Sequence, residues 1–195
     1  MAGLKTRFVV AGLVLALLLA MMPLASLAQT SSEVFTEALA SETEGTPLAG
    51  PNALDLEQTS GVLTVYKAGL DIADFVAHAV FVNPEVVDGV GWDYGFQFRT
   101  TGNNEDFRVF VTSDGMWNFS IGTARPSQSA VAPGIDITPG AANSLDLVVD
   151  GSQALFGVKG QLAGMVQLPG EPTTGDVYAS TGFLSSLVTE GRIVP

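Results

Sequence analysis

The chain contains no cysteine. That excludes a disulfide framework, a thiolate metal site, a cysteine nucleophile and a lipid-modified N-terminal cysteine. Histidine occurs once, as His78. Any Ser-His-Asp relay would have to be built on that residue, and no Gly-x-Ser-x-Gly elbow is present to supply the serine. Positive charge is scarce: 8 Lys and Arg stand against 20 Asp and Glu, for a formal net charge of −12. Such a surface repels phosphate backbones and anionic lipids, which argues against nucleic acid and membrane surfaces as partners. Beyond residue 28 no apolar run is long enough for a membrane helix, and after residue 50 no amphipathic helix of ordinary length is written.

What is present begins with a leader. Lys5 and Arg7 form a basic start, an apolar run follows from Phe8 to Met22, Pro23 breaks it, and Ser26 and Ala28 are small. This is the pattern of a secretory signal peptide over residues 1–28, so the expected location is secreted or extracytoplasmic. The competing possibility is an uncleaved anchor, because Phe8 to Ala28 is almost long enough to span a bilayer. Proline and the small residues favour cleavage. Loss of Lys5 and Arg7 leaves 6 basic and 20 acidic residues, a net charge of −14. Residues 29–50, polar and rich in Ser, Thr and Ala, read as a flexible acidic linker in which Glu33 to Ala40 could form a helical turn or two but lacks a broad apolar face. The remaining segment, 51–195, is about 145 residues, enough for one domain stabilised by its core alone.

That segment is written in strands. Trp92, Tyr94, Phe96 and Phe98 alternate with Asp93, Gly95, Gln97 and Arg99. After a polar loop, Phe107, Val109 and Val111 alternate with Arg108, Phe110 and Thr112; Ser113-Asp114-Gly115 turns the chain into Trp117, Phe119 and Ile121. Period-two alternation joined by Gly-containing turns predicts three successive antiparallel strands with their rings turned inward. Over Asp74 to Val82 both alternating sets are mostly apolar, which predicts a strand covered on both faces and ended at Asn83-Pro84. Thr123 to Gly140, rich in Pro, Ser and Ala, reads as a long connection between sheets. Further hairpins turn at Asp150-Gly151 and Lys159-Gly160. Many short strands with regular turns predict an all-β sandwich or barrel.

The segments Gly69–Phe81, Trp92–Arg99, Phe107–Trp117, Asn143–Gly151 and Phe156–Gly160 resemble the concanavalin A-like lectin and glucanase superfamily. The likeness is greatest to laminin-G-like and 3-keto-disaccharide hydrolase-like domains, and it covers about residues 55–185. It implies an all-β, two-sheet antiparallel jelly roll. It also implies one of three functions: a lectin-like binding domain, a glycoside-acting enzyme, or a structural or assembly module. The segment Leu187 to Pro195 departs from the pattern, since members commonly close with an aromatic-rich strand.

Glucanases of that superfamily carry their catalytic carboxylates as Glu-x-Asp-x-x-Glu, which is absent here. Glu105-Asp106 are neighbours in a loop and would diverge, whereas hydrolysis needs two facing carboxyl groups. The sequence therefore argues against an enzyme and implies no cofactor. Two acidic clusters, Asn83/Glu85/Asp88 and Asn103/Asn104/Glu105/Asp106, could contribute oxygen ligands to calcium, but neither matches the legume-lectin motif and both read more simply as solvated loops. The expected binding face is the one opposite the rings. Its members are Gln97, Arg99, Arg108, Phe110 and Asn118, a solvent-facing platform of planar hydrogen-bonding groups around one aromatic, suited to a polysaccharide or a cell-surface protein.

Overall fold

The computed structural model describes residues 30–42, 48–50, 63–84, 91–102 and 106–184. The expected signal peptide lies outside these residues, as do Glu85, Asp88, Asn103, Asn104, Glu105 and the segment from Leu187 onward.

Among the described residues a helix comes first, α1 (Ser31–Glu42). Ten strands follow: β1 (Thr64–Lys67), β2 (Phe75–Val82), β3 (Asp93–Thr100), β4 (Phe107–Thr112), β5 (Met116–Ile121), β6 (Gln128–Val131), β7 (Ala142–Asp150), β8 (Gln153–Val158), β9 (Gln161–Gln167) and β10 (Asp176–Thr181). They form a six-stranded sheet in the order β1-β10-β3-β4-β5-β6 and a four-stranded sheet in the order β2-β7-β8-β9. Every pairing is antiparallel.

The alternation of β3, β4 and β5 builds the core as the sequence predicts. Trp92, Tyr94, Phe96, Phe98, Phe107, Val109, Val111, Trp117 and Phe119 are buried and meet Leu145, Leu147, Val149, Phe156 and Val158 of the other sheet. Rings interlock across the two layers: Phe81 stacks on Tyr94 at 4.6 Å, and Trp92 stacks on the same tyrosine at 5.0 Å. A Cβ at Gly164 would lie 2.1 Å from the Trp117 ring, so glycine there makes room for the indole.

Three expectations change. The stretch 29–50 is not a linker throughout. Residues 31–42 are helical, and α1 packs on the outer surface of the four-stranded sheet through Val34, Phe35, Ala38 and Leu39 against Val76, Val148, Leu155 and Leu162. A Cβ at Gly157 would lie 2.2 Å from the Phe35 ring, so that glycine is the seat of the helix. Secondly, β2 is covered on both faces only at its α1 end; Val80 and Val82 are exposed. Thirdly, the connection over 123–140 contains β6, whose four residues are all exposed and which is held by pairing along β5.

Candidate functional site

The predicted platform lies on the outer face of the six-stranded sheet. Its rows follow from the register. Tyr178, Gln97, Arg108 and Ser120 stand side by side across β10, β3, β4 and β5; in the next row stand Ser180, Gly95, Phe110 and Asn118. Gln97, Arg108, Phe110 and Asn118 are therefore neighbours on one face, as the alternation predicts.

Arg99 is not among them. A register irregularity in the β10–β3 pairing and a positive φ of 51° at Arg99 mark a bulge. A bulge re-aims a side chain and breaks the two-residue phasing. The Arg99 guanidinium instead donates to the carbonyls of Ala73 and Gly151, with the Asp74 carboxylate 3.9 Å away. Burial lowers its pKa, against the opposing pull of Asp74 and Glu171. It serves the end of the sandwich, tying β3 to the turn between β7 and β8.

The platform is also not open to solvent. Exposure of its four members runs from 0 % at Phe110 to 7 % at Asn118. Alternation along a strand tells which side chains share a face, but whether water reaches that face depends on what folds over it. Arg108 and Asp106, both buried, form a two-point ion pair. Asn118 donates to Thr112 Oγ1 at 3.4 Å, and Thr112 in turn donates to Asp114. At Gly95 a Cβ would lie 2.2 Å from the Val109 carbonyl oxygen and 2.8 Å from the Phe110 Cβ, so glycine there lets β4 approach β3 closely.

Among the described residues two polar atoms on this face have no hydrogen-bond partner although buried: Gln97 Oε1 and Ser180 Oγ. Register places Ser180 diagonally from Gln97, one row on. Buried polar groups are almost always paired, so two neighbouring orphans are unusual and mark a place where a further donor or acceptor would be accepted.

At the edge of the face Asp93 is a buried carboxyl. Burial raises its pKa, and this outweighs the lowering pull of hydrogen bonds from Leu184, Phe183 and Gly182. Sequence reasoning missed Asp93, Ser180 and Phe183 as members of the site. Asp93 was legible as outward-phased, but Ser180 and Phe183 sit in a stretch with weak alternation and carry no local signal.

The other candidates resolve differently. His78 faces its register partner Asp146 across β2 and β7, with Nδ1 and Oδ1 2.6 Å apart, and Asp146 also accepts from the Gly160 N–H. This is a cross-strand polar pair. Asn83 is buried and structural: Nδ2 donates to the carbonyls of Asp136 and Thr138, both at 2.7 Å, while Oδ1 accepts from the Tyr94 hydroxyl at 2.8 Å. Asp106 is engaged by Arg108. Among the described residues no group of three or more His, Asp or Glu side chains converges to hold a metal ion.

No known family model matches the chain, and no curated protein does. Solved structures do resemble it. The carbohydrate binding module CBM66 from Bacillus subtilis is 14% identical, with 64% of this chain and 79% of that one covered and a TM-score of 0.51. Sheep galectin-11 is 12% identical over 64% of this chain and 91% of its own, TM-score 0.45. A Bacillus licheniformis β-glucanase is 11% identical over 60% and 57%, TM-score 0.44. At such identities the likeness is one of fold, and the first structure carries it: the chain folds as a two-sheet antiparallel jelly-roll sandwich.

Proposed function

We propose that this chain is an exported, non-catalytic β-sandwich domain that recognises carbohydrate through the outer face of its six-stranded sheet. One observation carries the reading. Phe110, a flat apolar surface, is ringed by Gln97, Arg108, Asn118 and Ser180, and two of those groups have buried oxygens with no partner. A sugar ring has an apolar face of C–H groups and a rim of hydroxyls, so it matches a stacking surface with hydrogen-bonding groups at its edge. The resemblance of the fold to a carbohydrate binding module supports the same class of ligand. Binding rather than hydrolysis is supported by the carboxylates beside this face. Asp106 is committed to Arg108, and Asp93 to three backbone N–H groups, whereas glycoside hydrolysis needs two carboxyl groups facing each other across the bond.

The test is affinity electrophoresis of the purified chain through gels containing laminarin, xylan, galactan or polygalacturonate. At least one polysaccharide should retard the protein. Gln97→Ala and Asn118→Ala, checked for native circular dichroism, should each weaken that retardation about tenfold, the worth of one hydrogen bond of roughly 1.4 kcal/mol. Retention of full binding by both variants would move the site elsewhere, and indifference to every polysaccharide would sink the reading.

A further inference from the structure

Over Phe110 the outer face is covered by the chain itself. β10 ends at Thr181, and the next three residues turn back over the sheet. Asp93 holds that turn: Oδ1 accepts the N–H groups of Gly182 and Phe183, both at 2.8 Å, and Oδ2 accepts that of Leu184 at 3.0 Å. The Thr181 hydroxyl donates to the Asp93 carbonyl at 2.6 Å, pinning the start of the turn to β3. The ring of Phe183 then lies flat on Phe110, centroids 4.7 Å apart and planes 12° apart. A flat ring therefore already occupies the stacking surface of the proposed site.

The closure is incomplete chemically. Phe183 offers the face only carbon, and Gln97 Oε1 and Ser180 Oγ are left buried without partners. A segment selected only to seal the sheet would satisfy them or replace them with apolar groups, because an unmet buried polar atom disfavours the closed state. An occupant with a flat apolar face and hydroxyls at its rim would stack on Phe110 and also meet those oxygens.

We propose that Gly182–Leu184 is a displaceable cover, with Phe183 standing where a ligand's sugar ring would sit on Phe110 and competing with it for that place. The proposal rests on the carbohydrate-binding reading and adds its regulation. Apparent affinity is then the intrinsic affinity reduced by the fraction of molecules with the cover open.

Two measurements on the full-length chain test it. In hydrogen exchange followed by mass spectrometry, the amides of 182–184 should exchange about a hundredfold faster than those of β4, through local opening. Exchange of both segments in step, through global unfolding alone, overturns the proposal. In the electrophoretic assay, Phe183→Ala should strengthen retardation by the retarding polysaccharide about tenfold, the cover having lost its stack. Phe183→Leu keeps apolar bulk but loses the flat ring and should give a smaller gain; it also serves if Phe183→Ala does not fold. Binding by the parent that neither variant improves overturns the cover and leaves the carbohydrate site standing. Rapid exchange at 182–184 with no binding by parent or variants removes the carbohydrate site, and with it a sugar as the competitor.

Discussion

Tyr94 joins the two layers of the sandwich by both halves of its side chain. Its ring is stacked between Phe81 and Trp92, and its hydroxyl donates to Asn83 Oδ1 while accepting from Asn143 Nδ2 at 2.9 Å. Burial, helped by the charge of Asp136, pushes the phenol up from its ordinary 10 to about 12, against the lowering effect of Asn143. The folded-state pKa is thus above the unfolded one. The stability it contributes is present in full below pH 10 and lost as pH rises toward 12. Two units correspond to about 3 kcal/mol at most. Urea denaturation between pH 9 and 11.5 should show the parent losing stability faster than Tyr94→Phe, which has no proton to lose there but is weaker at pH 7 by roughly 1–3 kcal/mol. Parallel pH curves would mean that the phenol does not titrate in that window. At this scale the sequence speaks for the ring and not for the hydroxyl. Alternation placed Tyr94 in the core, whereas Asn83, just past β2, and Asn143 of β7 meet it only after the two sheets pack. Arg99 shows the same limit, since its positive φ arises from a bulge in the β10–β3 pairing and breaks a phasing that looked regular.

Among the elements, β3 to β5 and α1 stand at opposite ends of legibility. The three strands were plain because ring and polar residue alternate without interruption and turns punctuate them. α1 was legible only as a turn or two of helix over Glu33 to Ala40, because its apolar stripe is narrow: Phe35, Ala38 and Leu39 recur at helical spacing in an otherwise polar window. A helix of 12 residues is marginal alone, so α1 exists because Phe35 is seated on Gly157. Phe35→Ala should therefore release the helix as a unit. Hydrogen exchange should show α1 amides losing protection while those of β7 and β8 keep theirs, with a drop in global stability of no more than about 3 kcal/mol. Loss of protection in β7 and β8 together with α1 would make the helix part of the cooperative core. β6 was missed for the converse reason: its exposed side chains carry no alternation, and its place is set by backbone pairing with β5.

Export and charge belong to the molecule as a whole. Among the described residues the first element is α1, starting at Ser31 just beyond Ala28, so a peptidase cutting between Ala28 and Gln29 would cut ahead of that helix. Expression with the leader in a secreting host should yield protein whose N-terminal sequence starts at Gln29, and an intact Met1 on a membrane-bound product would establish the anchor instead. Composition and alternation by themselves determined that this chain is an all-β sandwich or barrel without disulfides, which rings fill it and that Gln97, Arg108, Phe110 and Asn118 share the opposite face, because side-chain periodicity is a local property of a strand. Only the tertiary structure decided that this face is buried, that Arg99 leaves it, and that Phe183, on a turn held by Asp93, covers Phe110. Those facts depend on residues some ninety positions apart meeting, as Asp93 meets Phe183, and no local pattern encodes which distant segment comes to lie over a sheet.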